Sequence, residues 1–351
     1  MAPLSNGYFA IIWICFGNLI SLILNMKRHL MTFSLLCLLV LFSCSNREQD
    51  DMIIDKIVEK DTIIVDKKDT IVIGKDTNKK EYLFLNEDET INFHISKVEY
   101  WMRQPRAMRG KQGGDAYNGY FCQFEGGHSI LDILDINNKQ HITTLELEYN
   151  SDFHCNNADF SNTFYDIQDE FPLLYSSQQD RYARCIIVDR IIKRDGNYNL
   201  ETIQKINLPY DKEEPLQHYP DAVIDNEKGF LFVYAGRSTE FYIYKIRLPK
   251  IEEGEVVQLR EEDIISRWVI FDNPARYRQG GRMVGNFLIT LEGKSDNKMR
   301  IIDLENHRYK LIDLKSDFGA KWEPEDIFEV DGELFIASGA TGIYKIVLSN
   351  E

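Results

Sequence analysis

Arg109-Gly-Lys-Gln112-Gly113-Gly114 and Arg276-Tyr-Arg-Gln279-Gly280-Gly281 lie 167 residues apart in a chain of 351. The likeness continues downstream of both, within one residue of that offset. Phe121, Phe124-Glu125-Gly126 and Leu134-Asp135-Ile136-Asn137-Asn138 follow the first copy. Phe287, Leu291-Glu292-Gly293 and Ile302-Asp303-Leu304-Glu305-Asn306 follow the second. Self-similarity at a fixed offset marks a repeated supersecondary unit, and it decides the fold before any single segment does.

A second pair supports the first. Pro220-Asp221-Ala222, Gly229-Phe-Leu231-Phe232, Gly236 and Ile243-Tyr244-Lys245-Ile246-Arg-Leu248 recur as Pro324-Glu325-Asp326, Gly332-Glu-Leu334-Phe335, Gly339 and Ile343-Tyr344-Lys345-Ile346-Val-Leu348. A looser copy opens at His154-Cys-Asn156-Asn-Ala-Asp159 and runs through Pro172-Leu-Leu-Tyr175 to Cys185-Ile-Ile-Val188. Unit heads therefore fall near Gln112, His154, Asp221, Gln279 and Glu323, at spacings of 42, 67, 58 and 44 residues. Blades of four-stranded propellers repeat at this size. Between the heads, runs such as Phe230-Leu-Phe-Val-Tyr234 and Phe287-Leu-Ile-Thr-Leu291 are aromatic and β-branched and are bounded by glycine, the pattern of strands. Asp195-Gly196 and Asp331-Gly332 read as hairpin turns. Only Glu261 to Val269 reads as helical. The expected fold is an all-β, five-bladed propeller over residues 82–351. Its short last unit is completed by an N-terminal strand within Glu89 to Tyr100.

Five units headed by Gln-Gly or His-x-Asn resemble the five-bladed propellers of the helveticin-J-like and phage receptor-binding type, over about residues 84–348. The resemblance implies engagement of cell-envelope glycans or polymers. Pro220-Asp221 and Glu323-Pro324-Glu325 depart from its pattern and make the axis more acidic.

Inner strands of a propeller converge on its axis, so the polar heads are expected to ring one mouth: Gln112, His154, Asn156, Asp221, Gln279, Glu323 and Glu325, with Trp322 beside them. Amides and carboxylates together match the paired donors and acceptors of sugar hydroxyls. Carboxylates there also suit Ca²⁺, which takes oxygen ligands. A catalytic version uses Asp221 with Glu323 or Glu325 as an acid and base pair, and His154 in proton transfer. The competing explanation is structural: Gly113, Gly114, Gly280 and Gly281 let strands approach, and the glutamines brace the blades. Tyr242, Tyr244 and Tyr344 read as sheet packing. Arg103, Arg106, Arg109 and Lys111 form a basic run, either a solvated loop or a patch for an anionic polymer. No phosphate loop, dinucleotide fingerprint, nucleophile elbow or zinc-protease helix is present.

The N-terminus reads as an address. Met26-Lys27-Arg28-His29 is positive, Phe33 to Phe42 is apolar, and Leu41-Phe42-Ser43-Cys44 closes the pattern of a secretory signal. That end resembles a bacterial lipobox, which implies acylation of Cys44, and Lys27-Arg28 suits a translation start at Met26. Residues 1–43 are then the signal peptide; the alternative is a membrane helix from Phe9 to Leu24 or from Leu30 to Phe42. Residues 44–81 are a lipidated tether with a low-complexity Lys-Asp-Thr-Ile repeat, an extended spacer or a self-associating segment. Cys122, Cys155 and Cys185 remain in the exported domain, an odd number that permits one disulfide at most, and none has zinc-ligand spacing. The net charge of -15 argues against nucleic acid and anionic lipid as partners.

The resulting expectation is a binding protein at the bacterial cell envelope, held to a membrane through its lipid alone, with an axial pocket for a carbohydrate or envelope polymer. The alternatives are a glycan hydrolase or lyase and a protein-binding scaffold.

Overall fold

The computed structural model describes residues 63–65, 71–73, 83–86, 90–104, 110–126, 130–147, 154–179, 184–209, 220–237, 240–271, 277–293, 297–314, 323–339 and 342–349. Residues 1–43, expected to be a signal peptide, and Cys44, Arg106, Arg109 and Trp322 lie outside them. Strands β1 (Ile63–Val65) and β2 (Ile71–Ile73) fall within residues 44–81, and β3 (Phe84–Leu85) pairs with β4 (Ile91–Asn92). Next come β5 (Ile95–Met102) and the first blade, β6 (Lys111–Tyr117), β7 (Tyr120–Glu125), β8 (Ile130–Asp135) and β9 (Gln140–Glu146). Blade two is β10 (Ala158–Phe160), β11 (Leu174–Gln179), β12 (Arg184–Arg194) and β13 (Asn197–Asn207). Blade three is β14 (Asp221–Asp225), β15 (Phe230–Arg237), β16 (Glu240–Arg247) and, after an excursion through β17 (Val256–Gln258), β18 (Ile264–Phe271). Blade four is β19 (Tyr277–Val284), β20 (Phe287–Gly293), β21 (Lys298–Asp303) and β22 (Arg308–Asp313). The last blade contributes β23 (Pro324–Val330), β24 (Glu333–Ser338) and β25 (Ile343–Leu348).

These sheets form a five-bladed β-propeller. The fifth blade borrows its outer strand: β5 pairs antiparallel with β25, from Ile95 opposite Leu348 to Met102 opposite Ile343. Closure by an N-terminal strand is thus as the sequence suggested, but the strand begins at Ile95 rather than Glu89. Ile91 and Phe93 turn inward instead and join Leu83 in the core between blades four and five. Each of the five interfaces between blades has its own apolar cluster of this kind.

Local chemistry explains most turns. Asp195-Gly196 and Asp331-Gly332 both have positive φ at both positions, the mirror-image turn that matches strand twist. The expected helix at Glu261 to Val269 is confined to one 3-10 turn, Glu261–Asp263, held where the Arg260 amide donates to Asp263 Oδ2 at 2.8 Å. Beyond it Ile264, Ile265, Val269 and Ile270 are β-branched and take the outer strand of blade three. Strand β17 pairs in parallel with β13, Lys205 opposite Val256, so the chain of blade three adds a fifth strand to blade two.

Candidate functional site

Three inner strands begin with the same irregularity. The ladder of blade one slips between Lys111 and Gly114, that of blade four between Arg278 and Gly281, and that of blade five between Pro324 and Asp326. The extra residues are Gln112-Gly113, Gln279-Gly280 and Glu325. A bulge re-aims side chains and leaves backbone outside the ladder, and such features concentrate beside binding sites.

Below the bulges the axis is plugged. Blade two sends Asn156 and Asn157 across it: Asn156 Nδ2 donates to the Arg278 carbonyl at 3.0 Å, and Asn157 Oδ1 accepts from the Gly281 amide at 2.7 Å. Asn157 Nδ2 also donates to the Ala222 carbonyl in blade three, and the Gly113 amide of blade one donates to the Cys155 carbonyl at 2.8 Å. Asp326 of blade five accepts from the Gly114 amide at 2.8 Å, and Asp159 of blade two accepts from the Ile224 amide at 3.1 Å. Every blade is therefore tied to others by a hydrogen bond at the axis. An ideal Cβ on Gly280 would stand 2.1 Å from Asp326 Oδ1 and 2.6 Å from the Asn156 carbonyl oxygen. The glycines of the Gln-Gly-Gly heads are there for close approach, as the structural explanation required.

The side chains beside those glycines behave differently. Gln112, Gln279 and Glu325 are all buried, and Gln112 Oε1, Gln279 Oε1 and Glu325 Oε2 have no hydrogen-bond partner among the described residues. Gln279 Nε2 donates to Glu323 Oε1 at 2.9 Å, joining blades four and five. Burial pushes the Glu325 carboxyl well above the ordinary carboxylate range, and repulsion from Glu323 and Asp221 adds to the shift. Asp221 accepts from the Ser177 hydroxyl at 3.2 Å and faces the Arg278 guanidinium, whose pKa burial lowers while Asp221 and Glu292 oppose. His154 bonds to Asn156. Crowding lowers its ring pKa and the Asn156 bond opposes this, although its exposed surface screens the effect. The structure thus brings Gln279 to Glu323, Glu325 into the field of Glu323 and Asp221, and His154 and Asn156 together.

Sequence reasoning passed over Asn157, Asp159, Asp326 and Arg278. An acid after a small residue in Ala158-Asp159 was one available signal, whereas Asp326 stands where blades one and four have Gly114 and Gly281. Lys111 needs a correction. It is no solvated or polymer-facing cation but is fully buried, 2.8 Å from Glu125 and 2.5 Å from Asp132. Blade four inverts the arrangement, with Arg278 opposite Glu292 and Arg300 bonded to Glu292 at 2.7 Å. Cys122, Cys155 and Cys185 are buried free thiols, so no disulfide joins them. Among the described residues no group of three or more His, Cys, Asp or Glu is placed to hold a metal ion.

No family model matches the chain, and no curated protein matches it. Among solved structures it is similar to the glutaminyl cyclase of Myxococcus xanthus, at 12% identity and a TM-score of 0.47, over 73% of this chain and 96% of that one. It is also similar to a chain of a nidogen/laminin complex, at 10% identity and a TM-score of 0.37, covering 66% and 72% of the two chains. A third likeness is to Kuenenia stuttgartiensis hydrazine synthase, at 12% identity and a TM-score of 0.35, covering 76% and 70%.

Proposed function

We propose that this protein is an exported, lipid-anchored binding protein of the bacterial cell envelope, and that the axial end bearing the three bulges takes a carbohydrate or an envelope polymer. One observation carries the reading: each of the bulged residues Gln112, Gln279 and Glu325 buries a side-chain oxygen that has no hydrogen-bond partner among the described residues. A buried polar atom without a partner costs about 1–3 kcal/mol, and a hydroxyl-rich ligand removes that cost. Two amides and a carboxyl whose neutral form burial favours offer both donors and acceptors, the mixture a sugar needs. The Gln-Gly and His-x-Asn heads that resemble helveticin-J-like and phage receptor-binding propellers favour the same ligand class.

Replacing Gln112 and Gln279 together by Ala is expected to weaken binding about tenfold or more, at about 1 kcal/mol for each lost bond. The check is a glycan array followed by titration of the best ligand into detergent-solubilised protein, with melting measured in parallel. Early melting with unchanged affinity per folded molecule would make both glutamines braces and reject the reading. The anchor has its own test. Cys44→Ala is expected to abolish labelling by radioactive fatty acid, because only the thiol takes the diacylglycerol, and a variant that still labels removes the lipid from the proposal.

A second reading has one observation in its favour. Burial raises the pKa of the Glu325 carboxyl, with Glu323 and Asp221 beside it, and that is the direction a general acid needs. Release of reducing ends from a glycan panel, lost in Glu325→Gln, is its signature; binding without turnover discards it.

A further inference from the structure

At the end of the propeller away from the inner-strand heads, a cleft of about 190 Å³ opens between blades three and four. At about 30 Å³ per water it has room for roughly six waters, or one small ring. Its apolar floor includes Ile243 and Met283, and Trp268 of β18 forms a wall, stacked at 4.8 Å and 17° on His307 from the turn before β22. Lys228, Lys245 and Arg267 stand at its edge. We infer that this cleft is a second ligand site, for a single six-membered ring bearing a carboxylate.

The interface between blades five and one contains the same constellation in a filled form, and the contrast carries the inference. There Trp101, the bulged residue beside Ile343, takes the place of Trp268 beside Ile243. Lys139, in the turn matching that of His307, covers the Trp101 ring at 3.8 Å, and the indole donates to the Ile136 carbonyl at 3.0 Å. Lys345, the counterpart of Lys245, is neutralised by Glu333 at 2.6 Å.

Two substitutions between the repeats undo this in blades three and four. Where Lys139 lies, the chain has the shorter His307, with the same left-handed backbone, φ 57° against 55°. Where Glu333 lies, it has Phe230, and Lys245 rests on that ring at 3.7 Å instead of on a carboxylate. One change puts a shorter imidazole, stacked on the indole, where a lysine lies; the other leaves a cation without an anionic partner among the described ion pairs.

The acids nearby have other contacts, and none of the described ion pairs includes Lys245. Asp225 is buried and accepts the amides of Glu227 at 3.2 Å and Lys228 at 3.1 Å, while Arg267 pairs with Glu261. Glu305 is left to face Lys228 and Lys245, and Lys228 also donates to Asn286. The cleft is an aromatic-walled recess in which Lys245 is a cation without a carboxylate partner among the described ion pairs. A carboxylate meets the lysines while its ring lies on the indole and the apolar floor. The chemistry is shared by sugar acids and aromatic acids.

Glucuronate and benzoate, titrated into the full chain by calorimetry with glucose and benzyl alcohol as uncharged controls, test the site. At least one acid is expected to bind with a Kd near or below about 1 mM and at least tenfold more tightly than its control. Glucuronate alone assigns the site to sugar acids, and benzoate alone to aromatic acids. His307→Lys, which copies the filled interface, is expected to abolish binding, and Lys245→Gln to weaken it about tenfold. Lys228→Gln, on an exposed side chain, carries the test if either variant fails to fold. Binding must survive Ala at Gln112 and Gln279, which separates this site from the axial one. Failure of both acids, equal binding of acid and control, or full affinity in His307→Lys overturns the inference.

Discussion

Gly113→Ala is expected to leave no stably folded propeller. An ideal Cβ there would lie 2.5 Å from the Asn156 carbonyl carbon and oxygen and 2.6 Å from the Asn157 nitrogen. All three are backbone atoms of the segment that plugs the axis, so no rotamer change relieves them. Moving that segment endangers the bonds of Asn157 to Gly281 and Ala222 and of Gly113 to Cys155. Overpacking alone costs about 1–3 kcal/mol. Each buried polar group set free adds about 1–3 kcal/mol more, against a total stability of about 5–15 kcal/mol. Gly229→Ala is the control: nothing lies within 4 Å of its added carbon, and only its φ of +68° resists. Thermal unfolding followed by circular dichroism compares the two, and a Gly113→Ala protein that melts with the control contradicts the plugged axis.

The second large effect concerns closure. Deleting residues 82–102 removes β5 together with Leu83, Ile91 and Phe93 from the core between blades four and five. Three buried side chains of this size represent on the order of 5–9 kcal/mol, and the loss also bares the edge of β25 to other chains. Aggregation or a collapse in melting temperature is expected. Deleting residues 45–81 is expected to shift melting by little, because a low-complexity spacer brings no core. Equal melting of the two truncations would show that the N-terminal strand does not close the ring.

The sequence made the blade count readable because glycine, proline and aromatic residues recur where turns and inner strands impose the same geometry five times. Gln112-Gly113 and Gln279-Gly280 stood out because a bulge at a crowded axis admits few residues at its second position. The plug was not legible. Asn157 and Asp326 bond across the ring to blades remote in sequence, and each does so from one blade only, so no repeat announces them. Lys111 was misjudged for a related reason. Its partner Asp132 lies two strands away, and nothing nearby in sequence distinguishes a buried, paired lysine from the arginines before it, of which Arg106 and Arg109 lie outside the described residues. The helix at Glu261 to Val269 failed where acidic residues favoured a first turn but the following β-branched run was needed as an outer strand.

Pairing of β5 with β25 also governs when the molecule can finish folding. Ser96 bonds to the Val347 carbonyl across 251 residues of intervening chain. Four blades contain all their strands before that contact exists, and the fifth cannot. A chain that is fully synthesised but not yet closed therefore carries two open edges at once, β5 at one terminus and β25 at the other. Closing a loop of that length costs entropy before it yields any contact, so the step is slow compared with hairpin formation inside the blades. The interval before it is when the protein is most exposed to the wrong partner strand.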